Sequence, residues 1–347
     1  MTEQGNPLEK RGLDIGAVLS KLGPLIGLAF IYVLFAVLTP LVSQNHFSTF
    51  SNLELIFRQT VVVGIAALGM TVIIIAGGID LSVGATIAFA IVAVAWVLDR
   101  TGNVLVATVA GVLAAAVCGV LMGLLVSGLR LSPFIASLGL WGAVRGLAKG
   151  VCELYQRLYH SASSANIQVI NEGWKKTWLK TLVLPLDDDQ RWMLFPPGVW
   201  LMLFLAILVA AMLRYTRFGR HVFAIGSNEQ TARLCGVNVG WTKFRIYALA
   251  GALVGIAGVL EFANVAIGDP TDRMGAELDV IAAVVIGGAS LSGGQGSILG
   301  TLIGALIMTM VSNGCTKVGL SNWVQEIATG CIIIVAVTLD RLRQRRA

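Results

Sequence analysis

The residues best suited to chemistry in this chain fall in three segments, and none has the makeup of a catalytic centre. The first is Gly77-Gly78-Ile79-Asp80-Leu81-Ser82-Val83-Gly84, where two glycines, a carboxylate and a hydroxyl interrupt an apolar stretch. A carboxylate in hydrocarbon costs roughly 3 kcal/mol or more, so Asp80 must face a cavity, a partner or the membrane edge. Two arrangements fit. One is a helix broken on a solute path, with Gly77, Gly78, Asp80 and Ser82 lining it and Asn313 joining from a later apolar run. The other is a tight cytoplasmic turn in which Asp80 caps the next helix. The second segment, Arg217 to Val237, is basic and amphipathic. Asn228 can cap a short helix running through Glu229, Ala232 and Leu234, and Gly236 can end it in the left-handed conformation. A short capped helix between two spans suits docking into a groove of another protein. A solvated loop lying on anionic lipid is the alternative. The third segment runs from Glu277 through Gly287-Gly288 and Ser292-Gly293-Gly294-Gln295-Gly296 to Thr301. Glu277 and Asp279 are expected at an outer mouth, and the glycines permit a sharp reversal or a re-entrant backbone. The pattern G-G-x-x-L-S-x-G occurs at both 77–84 and 287–294. It marks an internal repeat, or a coincidence in a glycine-rich chain.

Several chemistries are excluded. There is no G-x-x-x-x-G-K-[ST] phosphate loop and no H-E-x-x-H, and the three histidines (His46, His160, His221) are scattered. The five cysteines have no metal-type spacing. Cys118 and Cys331 sit in apolar runs as packing residues, whereas Cys152 and Cys315 are both expected near the outer face and form the one candidate disulfide. No catalytic residue, metal site or cofactor is expected on the chain. The rival to a docked transporter is a stand-alone secondary carrier or channel, which needs ionisable groups inside the membrane. The candidates are Asp80, Arg145, Glu261 and Glu326. All lie near expected span ends, where snorkelling accounts for them. A scaffold without transport would leave the broken segments unexplained.

The elements that must position these segments are membrane helices. Of 347 residues, 56% are hydrophobic and 13% charged, about half the charge of a soluble domain. The expected fold is all-α, a single membrane domain (1–347) of about ten transmembrane helices, with broken or re-entrant segments. The spans are expected near 22–42, 57–78, 82–99, 104–127, 133–149, 195–213, 243–262, 278–293, 297–315 and 323–339. They form a bundle over 22–339, with a long outer loop at 149–194 and a cytoplasmic loop at 214–242. The first run is too long for a signal peptide, and no small-residue cleavage site follows it, so it reads as an uncleaved helix. Fourteen of the twenty-five Lys and Arg residues fall in segments that are cytoplasmic when the N-terminus is inside. Most of the others lie in the long, nearly neutral outer loop, where the positive-inside rule has little force. Both termini are therefore expected in the cytoplasm. The net charge of +6 is an orientation signal, not a nucleic-acid patch. Trp174, Trp178, Trp192 and Trp200 fit an interfacial belt or a docking site for an external partner. Glycines at small-xxx-small spacing, such as Gly119 and Gly123, Gly251, Gly255 and Gly258, or Gly300 and Gly304, report close helix packing.

Taken in order, these segments resemble the permease subunits of ribose-, xylose-, arabinose- and galactose-type ABC importers. The matching motifs are G-G-I-D-L-S-V-G at 77–84, P-F-I-A-S-L-G at 133–139 with R-G-L-A at 145–148, the loop at 218–236, and the run from Glu277 to Thr301. The resemblance spans about residues 25 to 340. It implies a type II-like importer permease in a bacterial inner membrane, paired with a second permease copy. It also implies a cytoplasmic ATPase, carrying the ATP and Mg2+, clamped on the 228–236 helix, and an external binding protein that delivers a sugar or sugar-like solute. The outer loop from Lys149 to Pro196 departs from the family, where it is shorter.

Overall fold

A computed structural model describes residues 15–43, 46–159, 166–170, 172–185 and 193–344. Trp192, His160 and the Asp187–Asp189 run lie outside these. The long helices are α1 (Ile15–Val42), α2 (Phe50–Ile75), α3 (Val83–Thr101), α4 (Val104–Ser127) and α5 (Pro133–Tyr159). A two-residue strand β1 (Ile167–Gln168) and a short helix α6 (Trp178–Thr181) follow. After them come α7 (Pro197–Tyr215), α8 (Arg217–Ser227), α9 (Glu229–Leu234), α10 (Val239–Val265), β2 (Ile267–Gly268), α11 (Ala276–Ile286), α12 (Ile298–Val318) and α13 (Asn322–Gln344). Among the described residues, seven helices are long and apolar enough to cross a membrane: α1, α2, α3, α4, α7, α10 and α12. Helices α5 and α13 have the length but carry more charge.

Helix α2 is the axis of the bundle. Nearly every side chain from Thr60 to Ile75 is buried, with α10, α12, α11 and α7 packed around it. An apolar helix polar on no face belongs inside a bundle. The most extensive crossing is α4 on α10. There a Cβ on Gly119 would collide with the Tyr247 carbonyl oxygen and come within 2.8 Å of the Gly251 Cα. The glycine spacing therefore has the expected meaning: backbones touch where side chains would hold them apart.

One expected span is absent as a single helix. The stretch 278–293 contains only the 11-residue α11, about 16 Å long at 1.5 Å per residue, against a hydrocarbon core of roughly 30 Å. A loop precedes it. Arg145, halfway along α5, donates from Nη1 to the carbonyls of Pro270 (2.8 Å) and Asp272 (2.9 Å), so this loop lies level with the middle of α5. In place of the expected span there is an irregular loop followed by a short helix, the loop tied to α5 by the Arg145 bonds while Thr271, Met274 and Gly275 stay exposed.

The outer segment is docked on the bundle. Strands β1 and β2 pair antiparallel, Ile167 opposite Gly268. Lys180 Nζ donates to the Ala263 carbonyl (2.6 Å), and the Ile170 amide donates to Asp99 (3.1 Å). Trp174 is buried against Phe262, ring centroids 5.1 Å apart. It is a core residue and not part of an interfacial belt, while Trp178 and Trp200 are half exposed. Helix α5 runs ten residues beyond its expected end at 149, which shortens the outer loop. The candidate disulfide is not formed. Cys152 faces the Gly268 carbonyl, Cys315 packs in a separate cluster with Phe35 and Phe47, and both thiols are free.

Candidate coupling surface and solute path

The loop between α7 and α10 is built from local capping chemistry. Thr216 ends α7 and caps α8, its hydroxyl accepting from the Gly219 amide (3.1 Å). Asn228 adopts an extended backbone (φ −160°, ψ 106°), and its side chain accepts from the Thr231 amide (2.9 Å), starting α9. At the other end Gly236 has φ +83°. Its amide bonds the Arg233 carbonyl (3.0 Å) and the Val237 amide bonds that of Ala232 (3.0 Å), the paired bonds of a Schellman ending. Both the cap and the left-handed stop are where the sequence places them.

The short helix presents one face and anchors the other. Ala232 is buried with Ile225 and Val239, whereas Leu234 is 88% exposed. Glu229 bridges Lys243 of α10 (2.6 Å) and Arg233 of its own helix (3.1 Å). The hydrogen bond from Lys243 holds the Glu229 carboxyl below the usual carboxylate range. A cleft of about 640 Å³ opens beside α9 toward the α4–α5 turn, with Arg130, Glu229, Arg233 and Lys243 on its walls. The surface is basic, carries an exposed leucine knob and is held rigidly to the bundle.

The segment at 77–84 is a tight turn between two separate helices. Helix α2 ends in a Schellman pair, Gly77 N–H to Ile74 O (2.9 Å) and Gly78 N–H to Ile73 O (3.0 Å), with Gly77 at φ +79°. Asp80 Oδ1 then accepts from both the amide (2.8 Å) and the hydroxyl (2.6 Å) of Ser82, just before α3. Asp80 and Ser82 are buried. The second glycine segment repeats this design. Gly288 (φ +91°) ends α11 with bonds from Gly288 N–H to Val285 O and from Ala289 N–H to Val284 O, and Ser290 Oγ accepts from the Ser292 amide (3.2 Å). Asp80 and Ser290 share a motif position and each accepts from the amide two residues on, but the left-handed glycine is the first of its pair at Gly77 and the second at Gly288, so the two turns are offset by one residue.

Asn313 does not join that turn. It is buried in the outer half of α12, a helix packed on α1, α2 and α11. The neighbour of the 77–84 turn is instead Tyr247 of α10, whose hydroxyl lies 2.6 Å from where a Cβ on Gly78 would sit. The five residues first grouped as a path therefore fall in two places.

A third constellation escapes the sequence. Glu261, only 4% exposed, takes a two-pronged bond from Arg273: Nε to Oε1 (2.9 Å) and Nη2 to Oε2 (2.7 Å). Arg145 is 5% exposed. Beyond its two carbonyl bonds, its Nε and Nη2 make no further hydrogen bond, and Asp272 Oδ2 makes none either, while Glu277 is a neighbour of both Arg145 and Trp141. Neither Arg145 nor Glu261 snorkels, because both are drawn inward by the 269–277 loop; Glu326 remains exposed. Glu277 sits against Gly84 in the first turn of α3 and not at an outer mouth. Its carboxylate and that of Asp279 also lie in the first turn of α11, the favoured end of the helix dipole. The only sequence sign was the polar run Gly268-Asp269-Pro270-Thr271-Asp272-Arg273 between two apolar stretches.

Residues 52–337 match the family model described as branched-chain amino acid transport system / permease component. The chain belongs to this permease family. Its curated relatives include the ribose import permease protein RbsC of Escherichia coli K12, 38% identical over 90% of this chain and 92% of that protein. RbsC of Bacillus subtilis strain 168 is 35% identical over 98% of both chains. The xylose transport system permease protein XylH of Haemophilus influenzae is 33% identical over 93% of this chain and 96% of that one. No solved structure matches. As a member of this family the protein is a multi-pass membrane transport component and not an enzyme. In this permease the two glycine turns, the capped helix α9 and the Arg145 cluster lie on one continuous bundle.

Proposed function

We propose that this permease forms the translocation pathway of an ATP-driven importer for a monosaccharide or sugar-like solute in a bacterial inner membrane. The observation that carries the proposal is α9, a six-residue helix capped at both ends and braced by Glu229–Lys243, which offers Leu234 to a partner. A brace of this kind serves a helix that must take a load. The partner is a cytoplasmic ATPase that holds the ATP and Mg2+, touching Asn228, Glu229, Ala232, Leu234 and Gly236 or the surface they form. With α9 in the cytoplasm, both termini lie there too, and the docked outer segment with Trp178 faces an external solute-binding protein. The sugar class follows from relatives whose names specify ribose and xylose. A second permease copy completes the pathway. It would cover α5, where Gly139, Gly142, Gly146 and Gly150 have no neighbour within 4 Å.

Asp80 and Ser82 line the path in this reading, with Gly77 and Gly78 giving the turn its shape, and Asn313 meets the solute further out. The deciding experiment is uptake into proteoliposomes holding the permease, its ATPase and the binding protein. ATP-dependent accumulation of a monosaccharide is expected. Gradient-driven uptake by this chain alone, without ATP, would establish a secondary carrier instead.

A further inference from the structure

Three stretches of backbone far apart in sequence meet at one point: the end of α2, the end of α8 and the loop before α12. The Gly294 amide donates to the Ile75 carbonyl (2.8 Å). That carbonyl is one of the orphan acceptors that every helix end leaves, and it is satisfied from a loop more than two hundred residues away. Gly226, next to last in α8, lies against the same bond. A Cβ there would overlap the Ile75 oxygen and come within 2.5 Å of the Gly294 nitrogen. On Gly293 a Cβ would fall 2.7 Å from the Gly226 oxygen and 3.0 Å from the Gly77 Cα. No side chain separates the three backbones.

We propose that Ile75–Gly77, Gly226–Ser227 and Gly293–Gly294 form a transmission joint that carries movement of α9 into both glycine turns at once. This rests on the reading of α9 as the docking helix. A contact between side chains can yield by changing rotamer, whereas touching backbones must move together or part. On the input side, α8 runs into α9 at Asn228, and α9 is tied to the start of α10 by Glu229–Lys243 and by Ile225, Ala232 and Val239. On the output side, one arm reaches the Asp80–Ser82 turn and α3. The other reaches the 288–296 loop and α12. Left-handed glycines at 77, 293 and 294 supply the hinge positions that a few-residue rearrangement needs.

Two glycines separate the joint from ordinary backbone strain. Gly294 and Gly288 are both left-handed, but only Gly294 touches α8; Gly288 has no neighbour within 4 Å. In reconstituted importer, Gly294→Ala should lower solute moved per ATP hydrolysed by roughly tenfold, because its Cβ crowds Ser227 Cα at 3.1 Å and overpacking of this kind costs at least about 1 kcal/mol, while Gly288→Ala, with the same left-handed strain and no such contact, keeps the wild-type ratio. An equal ratio in the two variants overturns the proposal. A second measurement needs no substitution at the joint. Spin labels at Leu234→Cys, Gln295→Cys and Leu320→Cys, in a background without other cysteines, report pair distances with and without nucleotide on the ATPase. The 234–295 distance should stay constant while 234–320 and 295–320 both change. A nucleotide-dependent change in 234–295 shows the joint parting and overturns it. Absence of ATP-driven uptake by the wild-type complex refutes the functional reading, and the proposal falls with it.

Discussion

The Glu261–Arg273 pair allows a sharp test of how the irregular loop is held. Arg273→Ala removes both prongs and leaves Glu261 with one long contact, from Asn264 Nδ2 at 3.4 Å. Breaking a buried ion pair from one side costs about 3–5 kcal/mol, because the remaining charge is left uncompensated. The loss should fall in this range. Glu261→Gln in the same background removes the stranded charge, so the double variant Glu261→Gln/Arg273→Ala should recover about 2 kcal/mol relative to Arg273→Ala. Thermal unfolding of the detergent-solubilised permease measures both. If Arg273→Ala melts with the wild type, or the double variant is as unstable as the two single losses added, the pair does not fasten the 269–277 loop and the reasoning is wrong.

Gly236→Val places a β-branched side chain at φ +83° and costs about 1–2 kcal/mol of backbone strain. Nothing lies within 4 Å to collide with it, so the bundle should fold normally while ATP hydrolysis no longer drives uptake; normal uptake would argue against α9 as the docking helix. The brace on α9 should depend on pH in a defined direction. Because Lys243 depresses the Glu229 carboxyl, its stabilising contribution is complete above the ordinary carboxylate range near pH 4.3 and is lost as pH falls through the lower folded value. Protection of the α9 amides, corrected for intrinsic exchange, should fall on acidification in the wild type, while in Glu229→Gln it should be low at neutral pH and converge with the wild type at low pH. At the α4–α10 crossing, Gly119→Leu should cost at least 1–3 kcal/mol by overpacking, seen as loss of the monodisperse peak in size-exclusion chromatography. Thr71→Ala removes a 2.7 Å bond to Thr301, and the expected loss is only about 0.6 kcal/mol, the average for such bonds between membrane helices.

How much of this was legible in the sequence depends on how local the physics is. The Asn228 cap, the Gly236 stop and the turn at Gly77-Gly78 rest on residues within a few positions of one another, and they read correctly. The long apolar helices were equally plain. The stretch 278–293 misled because its small residues continue the apolar run beyond the point where Gly288 turns the chain, so composition cannot mark the end of α11. Arg145 and Glu261 looked like span-end residues because their partners, Pro270, Asp272 and Arg273, lie on a loop whose depth only the fold reveals. Trp174 was assigned to the interface for the same reason: its partner Phe262 is on another helix. The pairing of Asp80 with Ser82 was readable, but the parting of Asn313 from both was not, since which helices neighbour α12 is a property of the whole bundle.

The enclosure of α2 has a consequence for how the protein is made. Its sequence is apolar enough to leave the insertion machinery as an ordinary membrane helix, yet in the finished bundle it scarcely meets lipid. Its sheath comes largely from α10, α11 and α12, and about 240 residues separate Ile75 from Val318. At about 5–20 residues per second, α2 spends roughly 12–50 s in the bilayer before its last neighbours are synthesised. During that interval the carbonyl of Ile75 waits for the Gly294 amide. Biogenesis should therefore be most vulnerable to premature termination between α8 and α12, where α2 already exists and of its neighbours α10, α11 and α12 are still to be made.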